Sequence, residues 1–419
     1  MNRRFSLFIA VWLILVVVAA SLAALYEKRT LWQRGIKNFA TGLAAADGKV
    51  YTIDIWGNIC CYEAETGKSV WTGSIGAYWS GRVAASSSMV YGGKASGGVG
   101  ALDAATGDLK WINHTAHSSY YSKKAPDNIT VVEGRVYVTT DAFSALNATT
   151  GEILWQITDF GVNGSPLKGN RVYVMTFGLS GMFIYRLNPD DGTALWCING
   201  TFSGHPVSYQ GQVIMHNQTA VFSLDETTGA SLWSYNVGEL IYQPTAYNGL
   251  LVFEASDGNV YALHLSDGTL AWKTPVDSQN ITSLANSDNP LKALTIQIDP
   301  QNQRAIGGYA ITTKLGAFMQ NGGDEYAGFL YSLDLDNGSI VWTKQFSANG
   351  DVSHENAVFN FVLTKSKIYL TTEFSELWII SKSTGEIIET RHFEHYILPP
   401  VVVDNKVFVA ADLQLIAYA

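Results

Sequence analysis

The sequence predicts an all-β chain folded as a single closed β-propeller of four-stranded antiparallel blades, preceded by one N-terminal transmembrane helix. Three observations predict it. A Gly-x-x-x-Trp step recurs along the chain. Aromatic residues make up 12% of the composition beside 39 glycines, which suits many short strands joined by tight turns. One uncharged apolar run, residues 5–26, stands ahead of the first repeat.

The repeat is clearest at residues 101–111, Ala-Leu-Asp-Ala-Ala-Thr-Gly-Asp-Leu-Lys-Trp. A strand ends near Leu102, Thr106-Gly107 makes a tight turn that Asp103 can cap, and a second strand carries Trp111. The same step recurs at Gly67/Trp71, Gly151/Trp155, Gly192/Trp196, Gly229/Trp233, Gly268/Trp272 and Gly338/Trp342. An eighth copy at Thr384-Gly385 keeps the turn and has Glu389 where Trp would stand. Most of these tryptophans lie about forty residues apart, the period of a four-stranded propeller blade. Trp272 and Trp342 are separated by more, which places an insertion near residues 277–305.

Each unit opens on a short inner segment, often beginning at proline: Pro166, Pro206, Pro244 and Pro400. A strand such as Arg171-Val-Tyr-Val follows, then one such as Gly258-Asn-Val-Tyr-Ala-Leu, then the turn and the Trp strand. Residues 400–419 supply inner strands without a Trp strand, and Thr30-Leu-Trp32-Gln-Arg supplies the missing one. Pairing the two closes the ring and removes two exposed edges. Counted this way there are nine units.

Residues 1–4 are expected to be cytoplasmic, 5–26 to form the membrane segment, and 27–419 to form the propeller. At about 1.5 Å per residue the apolar run reaches ~33 Å, enough for a ~30 Å hydrocarbon core. Arg3 and Arg4 orient the remainder outward, to the cell surface or periplasm. A cleaved signal peptide is the alternative, because Ser21-Leu22-Ala23 is small-x-small. A net charge of −9 argues against nucleic acid as a partner. Asn113, Asn128, Asn147, Asn163, Asn199, Asn217, Asn280 and Asn337 stand in Asn-x-Ser/Thr, candidate N-glycosylation sites in an exported chain. Cys60 and Cys61 are adjacent, and strand alternation gives Cys61 a small buried position like that of Ala262.

The 101–111 stretch resembles the tryptophan-docking repeat of the PQQ-like, quinoprotein-type β-propellers. That superfamily holds quinoprotein alcohol dehydrogenases and the non-enzymatic BamB-like propellers, and the resemblance covers residues ~30–419. It implies eight blades, against nine by repeat count. It also implies a structural role for Trp32, Trp71, Trp111, Trp155, Trp196, Trp233, Trp272 and Trp342, packed between neighbouring blades. Propellers bind ligands where the loops from an outer strand to the next inner strand converge. Here those loops carry Tyr78, Trp79, Arg82, Tyr121, His205, Tyr242, Gln243, His354, Glu355 and His395, the candidate ligand-binding rim.

The expectation is a membrane-anchored, extracytoplasmic scaffold that binds a protein or a glycan on this rim. No catalytic residue, metal site or cofactor is assigned, since no nucleophile triad, metal-ligand spacing or phosphate loop stands out. The competing class is a PQQ-dependent dehydrogenase with Ca²⁺, for which His354-Glu355-Asn356 with Arg82 is the nearest constellation. A third class is a carbohydrate-binding surface protein using Tyr78 or Tyr242.

Overall fold

The computed structural model describes residues 30–76, 81–94, 98–114, 128–140, 142–158, 162–167, 171–178, 181–276, 292–313, 324–350, 360–372, 375–395 and 397–419. The expected transmembrane segment, and with it the question of cleavage, lies outside them. Among the described residues no helix is long and apolar enough to cross a membrane.

Nine four-stranded antiparallel sheets make up the described chain. Blade 1 is Ala40–Ala46, Lys49–Asp54, Asn58–Glu63 and Ser69–Ser74. Blades 2 to 8 begin at Val83, Asn128, Val162, Ser203, Thr245, Lys292 and Asn360 and follow the same order. Blade 9 is composite: Val401–Val403, Lys406–Ala411 and Gln414–Tyr418 are completed by Thr30–Gly35, whose Gln33 pairs with Ile416. Ring closure by the N-terminal strand is therefore as expected, and the blade number is nine. Of the region expected as an insertion, residues 277–291 lie outside the described residues, and Lys292–Asp299 is the inner strand of blade 7. That blade is also extended in its later strands, Arg304–Thr313, Asp324–Asp334 and Ile340–Gly350.

The buried apolar residues fall into nine clusters, and each spans two neighbouring blades. There is thus one small core per junction. Each is built from the inward positions of alternating strands, because a single four-stranded sheet cannot cover its own apolar faces. Pro244 and Pro400 directly precede inner strands, whereas Pro206 sits in a bulge where the register shifts between Ser203 and Val207. Pro166 lies inside its inner strand, opposite Val172. The alternation of strand direction sorts the turns. Third-to-fourth turns, with the repeated glycine, share one face; second-to-third turns and inter-blade links share the other, the rim.

Candidate functional site

The tryptophans occupy the junctions. Trp32, Trp71, Trp111, Trp155, Trp196, Trp233, Trp272 and Trp342 each donate an indole N–H to a carbonyl of the next blade, at Ala64, Ala104, Ala148, Pro189, Glu226, Leu265, Leu335 and Lys382. These bonds run from 2.7 Å at Trp155 to 3.3 Å at Trp111. Each indole lies over the turn glycine of that next blade. A Cβ on Gly268, at φ +73°, would stand 2.5 Å from Trp233. Glycine is thus required twice, for the backbone angle and for the approach of the ring. Cys61 stands opposite Trp71 as Ala262 stands opposite Trp272, and it is fully buried. Cys60, Cys61 and Cys197 are free, and burial pushes the Cys61 thiol up to about 11.

A second clamp was missed in the sequence. The first residue of the second strand is often cationic and reaches across the junction. Lys49 donates to the Ala104 carbonyl (2.8 Å), Arg135 pairs with Asp190, Arg171 pairs with Glu226 (2.7 Å), and Lys406 pairs with Glu65 (2.5 Å). Its signal was available as Lys or Arg before Val-Tyr at residues 49, 135 and 171.

On the rim, Tyr78, Trp79, Tyr121, His354 and Glu355 lie outside the described residues, and Arg82 is exposed beside blade 2. His205 and Gln243 are brought together. The Gln243 amide accepts from His205 N (2.8 Å) and donates to His205 O (2.9 Å), so its hydrogen-bonding capacity clasps blade 5 to blade 6. Tyr242 is half-buried with its ring edge-on to Tyr309, 6.0 Å between centroids. Burial, with Glu254 nearby, raises its phenol to about 12.

Behind this clasp are two groups that the sequence did not single out. His216 is buried and its Nε2 has no hydrogen-bond partner; burial lowers its pKa. Gly204, at φ +66°, allows the approach, for a Cβ there would lie 2.5 Å from both His216 Nε2 and Gln243 Oε1. Glu254 is buried in the next blade, accepts from Tyr331 OH (2.6 Å) and Gly308 N (3.0 Å), and burial raises its carboxyl well above the ordinary range.

His395 lines a groove of about 820 Å³ between blades 8 and 9, with Arg391, Glu394, Asp412, Gln33 and Phe39. Asp412 accepts the backbone N–H of His395 (2.7 Å) and of Glu394 (3.2 Å), and the His395 ring is edge-on to Phe39. The rim also exposes large apolar side chains: Phe39, Trp56, Leu240 and Leu413 on second-to-third turns and inter-blade links, and Phe177 at the end of the second strand of blade 4. None was singled out, because each stands outside the repeat. Among the described residues no three of His, Cys, Asp or Glu gather as metal ligands. His354, Glu355 and Asn356, the constellation named for a Ca²⁺-dependent quinone, lie outside the described residues.

The sequence matches the family model described as outer membrane protein assembly factor BamB over residues 19–126, 122–222 and 181–319. The chain belongs to this PQQ-type propeller family. It is 24% identical over 265 residues to the outer membrane protein assembly factor BamB of Yersinia pestis, 58% of this chain and 59% of that protein. It is 26% identical over 281 residues to the tetrathionate hydrolase of Acidithiobacillus ferrooxidans, 62% of this chain and 47% of the relative. These matches span less than two thirds of either relative. The BamB crystal structure from Moraxella catarrhalis superposes with a TM-score of 0.52 at 14% identity, covering 93% of this chain and 96% of that one, a likeness of fold.

Proposed function

We propose that this BamB-family propeller is an extracytoplasmic scaffold that docks a protein partner on its rim, around the groove between blades 8 and 9. The observation that carries this is the chemistry of the rim. Phe39 and Leu413 are exposed at a polar groove holding Arg391, Glu394 and Asp412, with Trp56 exposed on blade 1. Aromatic anchors ringed by charged groups are what a protein interface uses. Family membership supports the same reading, since the Yersinia pestis relative is named an assembly factor for outer membrane proteins. Export follows from the apolar run after Arg3 and Arg4. Membrane tethering through residues 5–26, glycans on exposed sequons and glycan binding at the rim are parts of the proposal that stand on the sequence alone. Some sequon asparagines also have structural work: Asn147 accepts the N–H groups of Thr149 and Thr150 within its turn.

Capture from native membranes with residues 27–419 tests the proposal. A specific partner is expected, and Phe39→Ala with Trp56→Ala is expected to weaken it about tenfold or more. Equal capture by wild type and the double variant would rule out this part of the rim. The tetrathionate hydrolase relative favours one second reading, an enzyme on the same scaffold. Tetrathionate turnover, or dye-coupled alcohol oxidation with added PQQ and Ca²⁺, by the purified chain would replace the scaffold with that reading.

A further inference from the structure

On the face opposite the rim, blades 7 and 8 enclose a second cavity of about 330 Å³. It is lined by the polar side chains of Asp299, Asn302, Arg304, Ser332, Lys365 and Lys382 together with Val341. Its docking position is charged, as it also is at Glu226 of blade 5. The docking carbonyl that Trp342 binds belongs to Lys382, where the equivalent residues in blades 1 to 3 are Ala64, Ala104 and Ala148.

Lys382 and Asp299 are almost fully buried and pair at 2.9 Å, and Asn302 donates to the same Asp299 oxygen at 2.8 Å. Arg304 is balanced by Asp334 at 2.7 Å. That leaves the exposed Lys365, which has no ion-pair partner among the described residues, as an uncompensated positive charge at the mouth. At the wall stands Ser332, 1% exposed, with an Oγ that has no hydrogen-bond partner. Burying a hydroxyl without a partner is costly, so such an atom calls for a partner of its own.

We propose that this cavity is a binding site for a small solute carrying one oxyanion group, a carboxylate or sulfate. Lys365 supplies the charge and Ser332 the hydrogen bond. The Asp299–Lys382 pair holds the wall in place, and Asp299 repels a second anionic group. The volume lies at the small end of ligand pockets, which suits a small solute. The site is remote from the groove between blades 8 and 9, so its test is independent of the partner proposal.

The test is a titration of the purified chain with sodium sulfate and, separately, sodium acetate. Thermal unfolding and calorimetry are read against sodium chloride at matched ionic strength. A saturable rise in unfolding temperature above the chloride control is expected with at least one of the two anions, and the pair separates sulfate from carboxylate preference. Lys365→Ala, on an exposed turn, is expected to weaken that binding about tenfold. Ser332→Ala is expected to unfold at or above the wild-type temperature without ligand, yet to lose about tenfold in affinity. Anion responses equal to chloride would overturn the proposal. So would a saturable response that both variants retain, and a Ser332→Ala effect confined to the ligand-free protein would mark a water-filled cavity only.

Discussion

Glu254 and His216 end the second strands of adjacent blades and illustrate opposite linkages at a single position. The folded carboxyl of Glu254 has a raised pKa, so the folded state keeps a proton that the unfolded chain releases. Its contribution is complete below the unfolded carboxyl pKa and is lost as pH rises, by up to about 1.4 kcal/mol per pH unit. Glu254→Gln preserves the acceptor facing Tyr331 and Gly308 and removes the ionisation. It is expected to increase stability at pH 8 and to change it little at pH 4, measured by denaturant unfolding across pH. His216 has the reverse sign. Its lowered folded pKa means that stability is present above the unfolded value near 6.5 and is lost on acidification. His216→Gln is expected to flatten the acid limb between pH 7 and 5 in the same assay. Neither residue was legible in the sequence, because burial and lost partners come from blades packed side by side rather than from any motif.

At the scale of the element, the hairpin of turn glycine and Trp was fully legible, since both residues recur at fixed spacing and each meets its counterpart across a junction. The cationic first position of the second strand escaped notice because its partners vary: a carbonyl at Ala104, carboxylates at Asp190, Glu226 and Glu65. The His205–Gln243 clasp shows the limit of the sequence from the other side. Both residues stand on the rim, and the Gln243 amide is occupied by the neighbouring blade. For the docking hairpin, Trp233→Ala is expected to cost about 3–5 kcal/mol in urea unfolding through the lost indole and the cavity it leaves. Gly268→Ala forces a left-handed backbone, about 1–2 kcal/mol, and drives a methyl into the same indole. Because the two act on one contact, the double variant is expected to lose clearly less than the sum of the singles.

At the largest scale the described residues form a ring held by nine junctions, and Thr30–Gly35 meets Gln414–Tyr418 in one blade. Removing Thr30–Gly35 leaves the Gln414–Tyr418 strand with unpaired backbone groups and opens blade 9. Such a variant is expected to associate at micromolar concentration by light scattering, where the intact chain with Trp32→Ala stays dispersed and is merely less stable. Ring closure was legible because an orphan Trp strand and a blade lacking one stood at opposite ends of the sequence. The candidate groove was legible only through His395, since its walls come from residues 33–39, 391–395 and 412–414.

Those walls belong to the junction between blades 8 and 9, where Glu389 opposes Ile379 at the register that carries Trp elsewhere. In place of an indole, Lys367 and Tyr369 donate to the Ala419 carbonyl at 2.5 and 2.7 Å, and Arg391 donates to Tyr418 OH at 2.8 Å. A partner seated in the groove touches both sides of the junction that lacks the common fastener. Occupancy then raises the free energy needed to part the two blades by RT ln(1 + [partner]/Kd). Capture and closure become two readings of one equilibrium: whatever loosens that junction lowers affinity, and whatever binds there keeps the circle shut.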